Sequence, residues 1–257
     1  MKKRILAATA AMVLAGLLGG CFGYNFMEPV DEANMKLVQL DPPKDGRDMA
    51  VIKTSLGEIK MILYPEYAPN ICANFKARVE EGYYNNKKVF GVIKDAAFLA
   101  GANDDTGKEG KTSDGKLIES EYHDNLWHFA GAVSAFSDKE NKVDSRFFIN
   151  TDMAVGEDMA EQMKNANYPE AVIKAFQEKG GVPTFTRYYP VFGQVIEGLD
   201  VVKEISSYAS DDENDQRPTK DVMIESITLT QYQAPAESSA ASKVESAAES
   251  TVESKQE

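Results

Sequence analysis

Residues 49–75 read MAVIKTSLGEIKMILYPEYAPNICANF, and their pattern decides the class of fold. Two alternating apolar runs, Met49–Thr54 and Glu58–Leu63, flank Ser55-Leu56-Gly57, which predicts a β-hairpin. Pro69 then opens a helix, because a proline at the first helical position loses no needed hydrogen bond. Within that helix Ile71, Phe75 and Val79 recur on one face, and Gly82 ends it.

Working outward, the same kind of short apolar run returns at Val89–Ile93, Phe129–Phe136, Arg146–Asn150 and Val191–Val195. Leu199–Ile205 predicts a short helix, and Val222–Leu229 alternates as a closing strand. A helical pattern between Glu157 and Lys179, interrupted before Pro169, stands apart as an insertion over about 153–182. Many short strands with few helices predict a mainly β, closed antiparallel barrel.

The flanks differ in composition. Lys2, Lys3 and Arg4 precede an apolar run from Ile5 to Leu18, too short for a comfortable bilayer span. Residues 1–20 therefore read as a signal peptide. Leu18-Gly19-Gly20-Cys21 resembles a bacterial lipobox, which implies acylation of Cys21 and attachment to a lipid membrane, with the domain outside the cytoplasm. Residues 21–47 carry three prolines and no sustained period, and read as a tether to a domain over 48–232. From 233 to 257 the chain is mostly Ala, Ser, Glu and Lys, a composition that buries too little apolar surface to order itself.

The whole chain has 257 residues and a net charge of −13, so phosphate backbones are repelled and nucleic acid is excluded as a partner. Of its two cysteines only Cys72 would remain beside the lipidated one, so no internal disulfide supports the fold.

Several ordered blocks give a resemblance to the cyclophilins. Ala68-Pro69-Asn70-Ile71-Cys72-Ala73-Asn74-Phe75 is similar to their A-P-x-T-V-x-N-F. Glu121–Ser134 resembles E-F-H-x-N-L-x-H-x-x-G-x-x-S, Ser145–Ile149 resembles S-Q-F-F-I, and Val191–Val202 resembles V-F-G-x-V-x-x-G-M-D-V-V. The likeness spans about 48–232. It implies an eight-stranded antiparallel barrel capped by two helices, and peptidyl-prolyl cis-trans isomerisation of proline-containing polypeptides. It implies no cofactor and no metal; a monomer that assists the folding of exported proteins is expected.

Such catalysis must favour the twisted prolyl amide over either planar form, against a barrier of ~18–20 kcal/mol. The resemblance places Phe148 in the proline pocket, with Phe185 at a leucine position, Phe136 at a small alanine and Tyr189 at a histidine. Gly91 stands in Val89-Phe90-Gly91-Val92-Ile93 where the family has its catalytic arginine. The supporting glutamine is missing from Ala97–Gly101. Arg146, at the glutamine of S-Q-F-F-I, is the expected substitute donor; the alternative is a surface ion pair. The runner-up function is a non-catalytic proline-peptide binder or scaffold on the same barrel. A solute-binding lipoprotein does not fit, since paired α/β lobes are absent from the pattern.

Other signals carry less. Gly110-Lys111-Thr112 lacks the earlier glycine of a phosphate loop, where Asp105 stands. His123 and His128, near Glu119, Glu121 and Asp124, could ligate a metal, but the family position of His128 is structural. The acidic run Asp211–Asp215 lacks the glycine and distal glutamate of a calcium loop.

Overall fold

The computed structural model describes residues 30–210, 212 and 216–235. The expected signal peptide, Cys21, the first part of the tether, most of the acidic run and the tail from 236 lie outside the described residues. No helix among the described residues is long and apolar enough to cross a membrane.

The hairpin forms as read: β1 (Asp48–Thr54) pairs antiparallel with β2 (Gly57–Leu63). Thr54 closes the turn, its Oγ1 accepting from Leu56 and Gly57 N–H groups and donating to the Gly57 carbonyl. Alternate β1 residues Ala50, Ile52 and Thr54 point inward. Helix α1 (Pro69–Glu80) buries Ile71, Cys72, Phe75 and Val79 against the barrel core.

The remaining strands are β3 (Lys87–Lys88), β4 (Gly91–Ile93), β5 (Ala97–Ala100), β6 (Ile118–Glu119), β7 (Ala132–Ala135), β8 (Lys142–Val143), β9 (Phe147–Asn150), β10 (Val191–Glu197) and β11 (Met223–Gln231). Nine of the eleven described strands form one sheet in the order β3-β11-β1-β2-β10-β7-β9-β5-β4, and β6 pairs with β8. The two edge strands are consecutive in sequence. Val89 N–H donates to the Val222 carbonyl beside β11, and Phe90 N–H to the Leu99 carbonyl of β5. Residues 87–93 are thus one bent strand that pairs on both sides and closes the barrel. Counted so, the nine become eight. Closure removes the free edges that would otherwise invite pairing with other chains.

Among the described residues four α-helices accompany the barrel. After α1 come α2 (Glu157–Asn165) and α3 (Glu170–Lys179) in the insertion, then α4 (Leu199–Ser206). The break before Pro169 falls where a residue preceding proline resists helical geometry. Val201, Val202 and Ile205 of α4 enter the barrel core with α1. The insertion has its own core, in which Met163, Val172 and Phe176 pack on Trp127 and Phe129.

One expectation is corrected. Residues 30–47 are not a bare tether: Val30, Met35 and Leu37 pack on the insertion core, and Gln39 is buried against the barrel. Apolar residues spaced along an irregular segment have no period, so composition alone did not separate this strap from a linker.

Candidate active site

Strand alternation divides the side chains of the β4–β5–β9 wall. Phe98, Ala100, Phe147 and Ile149 point into the barrel, while Ala97, Leu99 and Phe148 point outward into a second apolar cluster. Phe185, on the 3-10 turn Pro183–Phe185, joins that cluster, as do Tyr189 and Phe136 from neighbouring loops. The four expected pocket residues are therefore brought together. Phe148 lies 5.2 Å from Phe185 and 5.1 Å from Tyr189, both edge-on, and 6.1 Å from Phe136. Phe136 also meets Tyr189 at 6.3 Å and Phe90 at 6.3 Å, so its ring links Phe90 to the cluster. Burial raises the pKa of Tyr189, which keeps its hydroxyl protonated.

The polar end of the site differs. Gly91 pairs directly with Leu99, and Leu99 with Phe148. That register sets Leu99, an apolar side chain, directly opposite Gly91. A Cβ built on Gly91 would rest 3.4 Å from Leu99 Cβ and 3.8 Å from the Gln216 carbonyl, with no positive φ.

Arg146 is committed to other partners. It is 3% exposed, and its three guanidinium nitrogens are all engaged. Nε and Nη2 donate to Asp144, at 3.1 and 2.7 Å, while Nη1 donates to the carbonyls of Gly107 and Lys108 and to Asp138. Burial favours the neutral form, yet the bonds to Asp144 and Asp138 outweigh it and raise the arginine's pKa. The guanidinium also lies over the Phe136 ring, 4.9 Å from its centroid. Arg146 therefore matches neither expectation: it makes a buried ion pair that pins the 107–110 loop and Phe136. Asp144, two residues earlier on the same side of the chain, was the unread signal.

His128, weighed in the sequence only as a metal ligand or a structural residue, lies against the aromatic cluster. Its ring stacks 6.2 Å from Phe148 and stands edge-on to Phe185 at 6.0 Å. Neither ring nitrogen has a hydrogen-bond partner among the described residues, and burial pushes its pKa down to about 3. His123, by contrast, packs on Tyr67 and accepts from Asn125 N–H. Among the described residues no group of three or more His, Cys, Asp or Glu side chains could hold a metal ion.

A pH dependence follows. The unfolded histidine takes up a proton near pH 6.5, whereas the folded one stays neutral to about pH 3. Between those values the unfolded chain binds the extra proton, so stability is lost as pH falls. Going from pH 7 to 5 should remove about 2 kcal/mol, read from urea midpoints. A flat profile over that interval would contradict the burial of a neutral His128.

Comparison with known proteins agrees with this geometry. The family model described as "Cyclophilin type peptidyl-prolyl cis-trans isomerase/CLD" matches residues 49–229. A candidate peptidyl-prolyl cis-trans isomerase of Staphylococcus saprophyticus is 30% identical over 194 residues, covering 75% of this chain and 98% of its own. One from Staphylococcus epidermidis is 31% identical, covering 72% and 93%. Among solved structures, a cyclophilin type peptidyl-prolyl cis-trans isomerase of Cryptosporidium parvum superposes with a TM-score of 0.57 at 23% identity, covering 74% of this chain and all of that one. The same parasite protein, crystallised in the presence of the dipeptide Ala-Pro, gives 0.56 at 24% identity, covering 72% and 99%. A family model that matches residues 49–229, together with relatives at 30% identity over three quarters of the chain, means that this chain belongs to the cyclophilin-type peptidyl-prolyl cis-trans isomerase family.

Proposed function

We propose that this chain is a slow prolyl isomerase held at a membrane surface, where it assists the folding of exported polypeptides. The observation that carries the reading is the gathering of Phe148, Phe185, Tyr189 and Phe136 in one aromatic cluster, with Gly91 and Leu99 paired beside it. Phe148, Phe185 and Tyr189 offer an apolar seat for a proline ring. Isomerisation needs no nucleophile or metal, only preferential binding of the twisted amide. A donor aimed at the amide nitrogen would add most to that preference, and Arg146 is committed to Asp144 instead. Slow turnover with retained peptide binding is the result. The crystallised relative with Ala-Pro supports a proline-containing ligand.

A protease-coupled isomerisation assay on the mature chain tests this. A rate above the uncatalysed one, abolished by Phe148→Ala, is expected. Peptide binding with no rate enhancement at all would favour the binder on the same barrel, a reading that Gly91 and Leu99 already support.

The membrane location rests on Leu18-Gly19-Gly20-Cys21. Cys21→Ser should move the protein from the membrane fraction to the soluble one, and unchanged retention would remove the lipid anchor from the proposal.

A further inference from the structure

One side chain of the strap ahead of β1, Gln39, reaches the main chain next to His128. Gln39 is 8% exposed and lies outside the residues matched by the family model. Its carboxamide serves Trp127 as a neighbouring strand would. Gln39 Nε2 donates to the Trp127 carbonyl at 2.8 Å, and Trp127 N–H donates to Gln39 Oε1 at 2.6 Å. The same Nε2 donates to Gln194 Oε1 of β10 at 2.8 Å, and Gln194 in turn donates to the Ala130 carbonyl. Two residues upstream of Trp127, the Asn125 side chain accepts from the Lys36 N–H at 2.7 Å.

The next residue in the chain is His128, whose ring lies against Phe148 and Phe185. Because neither ring nitrogen has a partner among the described residues, packing and the main chain alone set where that ring sits. The main chain at 127–128 is gripped from two sides. Gln39 holds Trp127, and the His128 carbonyl accepts from Val182 N–H and Asn150 Nδ2. Removing the Gln39 grip frees one side and lets the histidine, and with it the two phenylalanines, shift.

We propose that Gln39 is a positioning residue for the proline pocket, so that the segment leading to the barrel completes the site as well as connecting to it. The inference rests on the reading of Phe148 and Phe185 as the proline seat. It deepens that reading by making peptide affinity depend on a residue outside the stretch that the family model matches.

The chain has a single tryptophan, so its fluorescence reports the clamp directly. In the full chain, Gln39→Met keeps length and loses the carboxamide. It should shift Trp127 emission and weaken proline-peptide affinity by at least about fivefold at denaturant-free conditions where the protein is folded, since small misplacements of a binding wall carry large penalties. Leu37→Ala serves as the control: it loosens the strap's apolar contact with the insertion and leaves the carboxamide in place. It should lower the urea midpoint while affinity stays within about twofold of wild type. Should Gln39→Met fail to fold, Gln39→Asn, one methylene shorter, is read the same way. Wild-type affinity and emission in the Gln39 variant would overturn the proposal, as would an equal affinity loss in Leu37→Ala. A wild-type chain that binds no proline peptide would instead refute the functional reading itself.

Discussion

Arg146→Gln should destabilise the domain by about 3–5 kcal/mol, because it leaves the Asp144 carboxylate buried without its cation. Both side chains are nearly inaccessible, at 3% and 4%, so water cannot replace the lost partner. The carboxylate also holds the main-chain N–H groups of residue 146 and Gly110, which ties it into the loop that the guanidinium pins. Asp138 is about half exposed and contributes far less. Urea denaturation of wild type and variant measures the loss. Asp144→Ala should lose a similar amount, and Arg146→Lys should recover only part, since an ammonium cannot match the fork across Asp144 and two carbonyls. An Arg146→Gln loss below roughly 1 kcal/mol would mean that the pair contributes little beyond its own desolvation. Any fall in peptide affinity should track the displacement of Phe136, over which the guanidinium lies.

That outcome shows where the sequence was readable. The hairpin, α1, α4, β11 and the broken helical insertion all follow from periods of two or 3.6 with turn residues between them, and they stand where those periods put them. The gathering of Phe136, Phe148, Phe185 and Tyr189 was legible only through the family likeness, because loops from three parts of the chain meet there. What was illegible depends on contacts across long separations. The register that sets Leu99 beside Gly91 belongs to the strand pair and cannot be read from either strand alone. The partners of Arg146 come partly from a loop nearly forty residues earlier, and Gln39 reaches Trp127 over 88 positions of sequence. A polar residue with no local pattern gives no signal of a partner so far away.

Gly91→Arg should raise kcat/KM by on the order of a hundred- to a thousandfold, the scale of one preorganised donor to a developing charge. The position lies in β4, with Leu99 opposite it and Phe148 one strand further, so a side chain there starts beside the apolar seat. Its backbone needs no positive φ, and the added Cβ meets Leu99 Cβ at 3.4 Å, an ordinary van der Waals contact. The guanidinium would then face the amide nitrogen whose lone pair localises as the bond twists, an interaction absent in the planar ground state. The gain should therefore appear in kcat with KM little altered. Gly91→Met adds length without a donor and should give no acceleration, which separates charge from shape. Adding Leu99→Gln to Gly91→Arg should raise the rate again, because a carboxamide across the strand pair can hold the guanidinium in place of an apolar side chain. A folded Gly91→Arg chain with wild-type kcat/KM would show that the rate is not limited by a missing donor at this position, and the ring of Phe136 beside Phe148 would become the next restriction to remove.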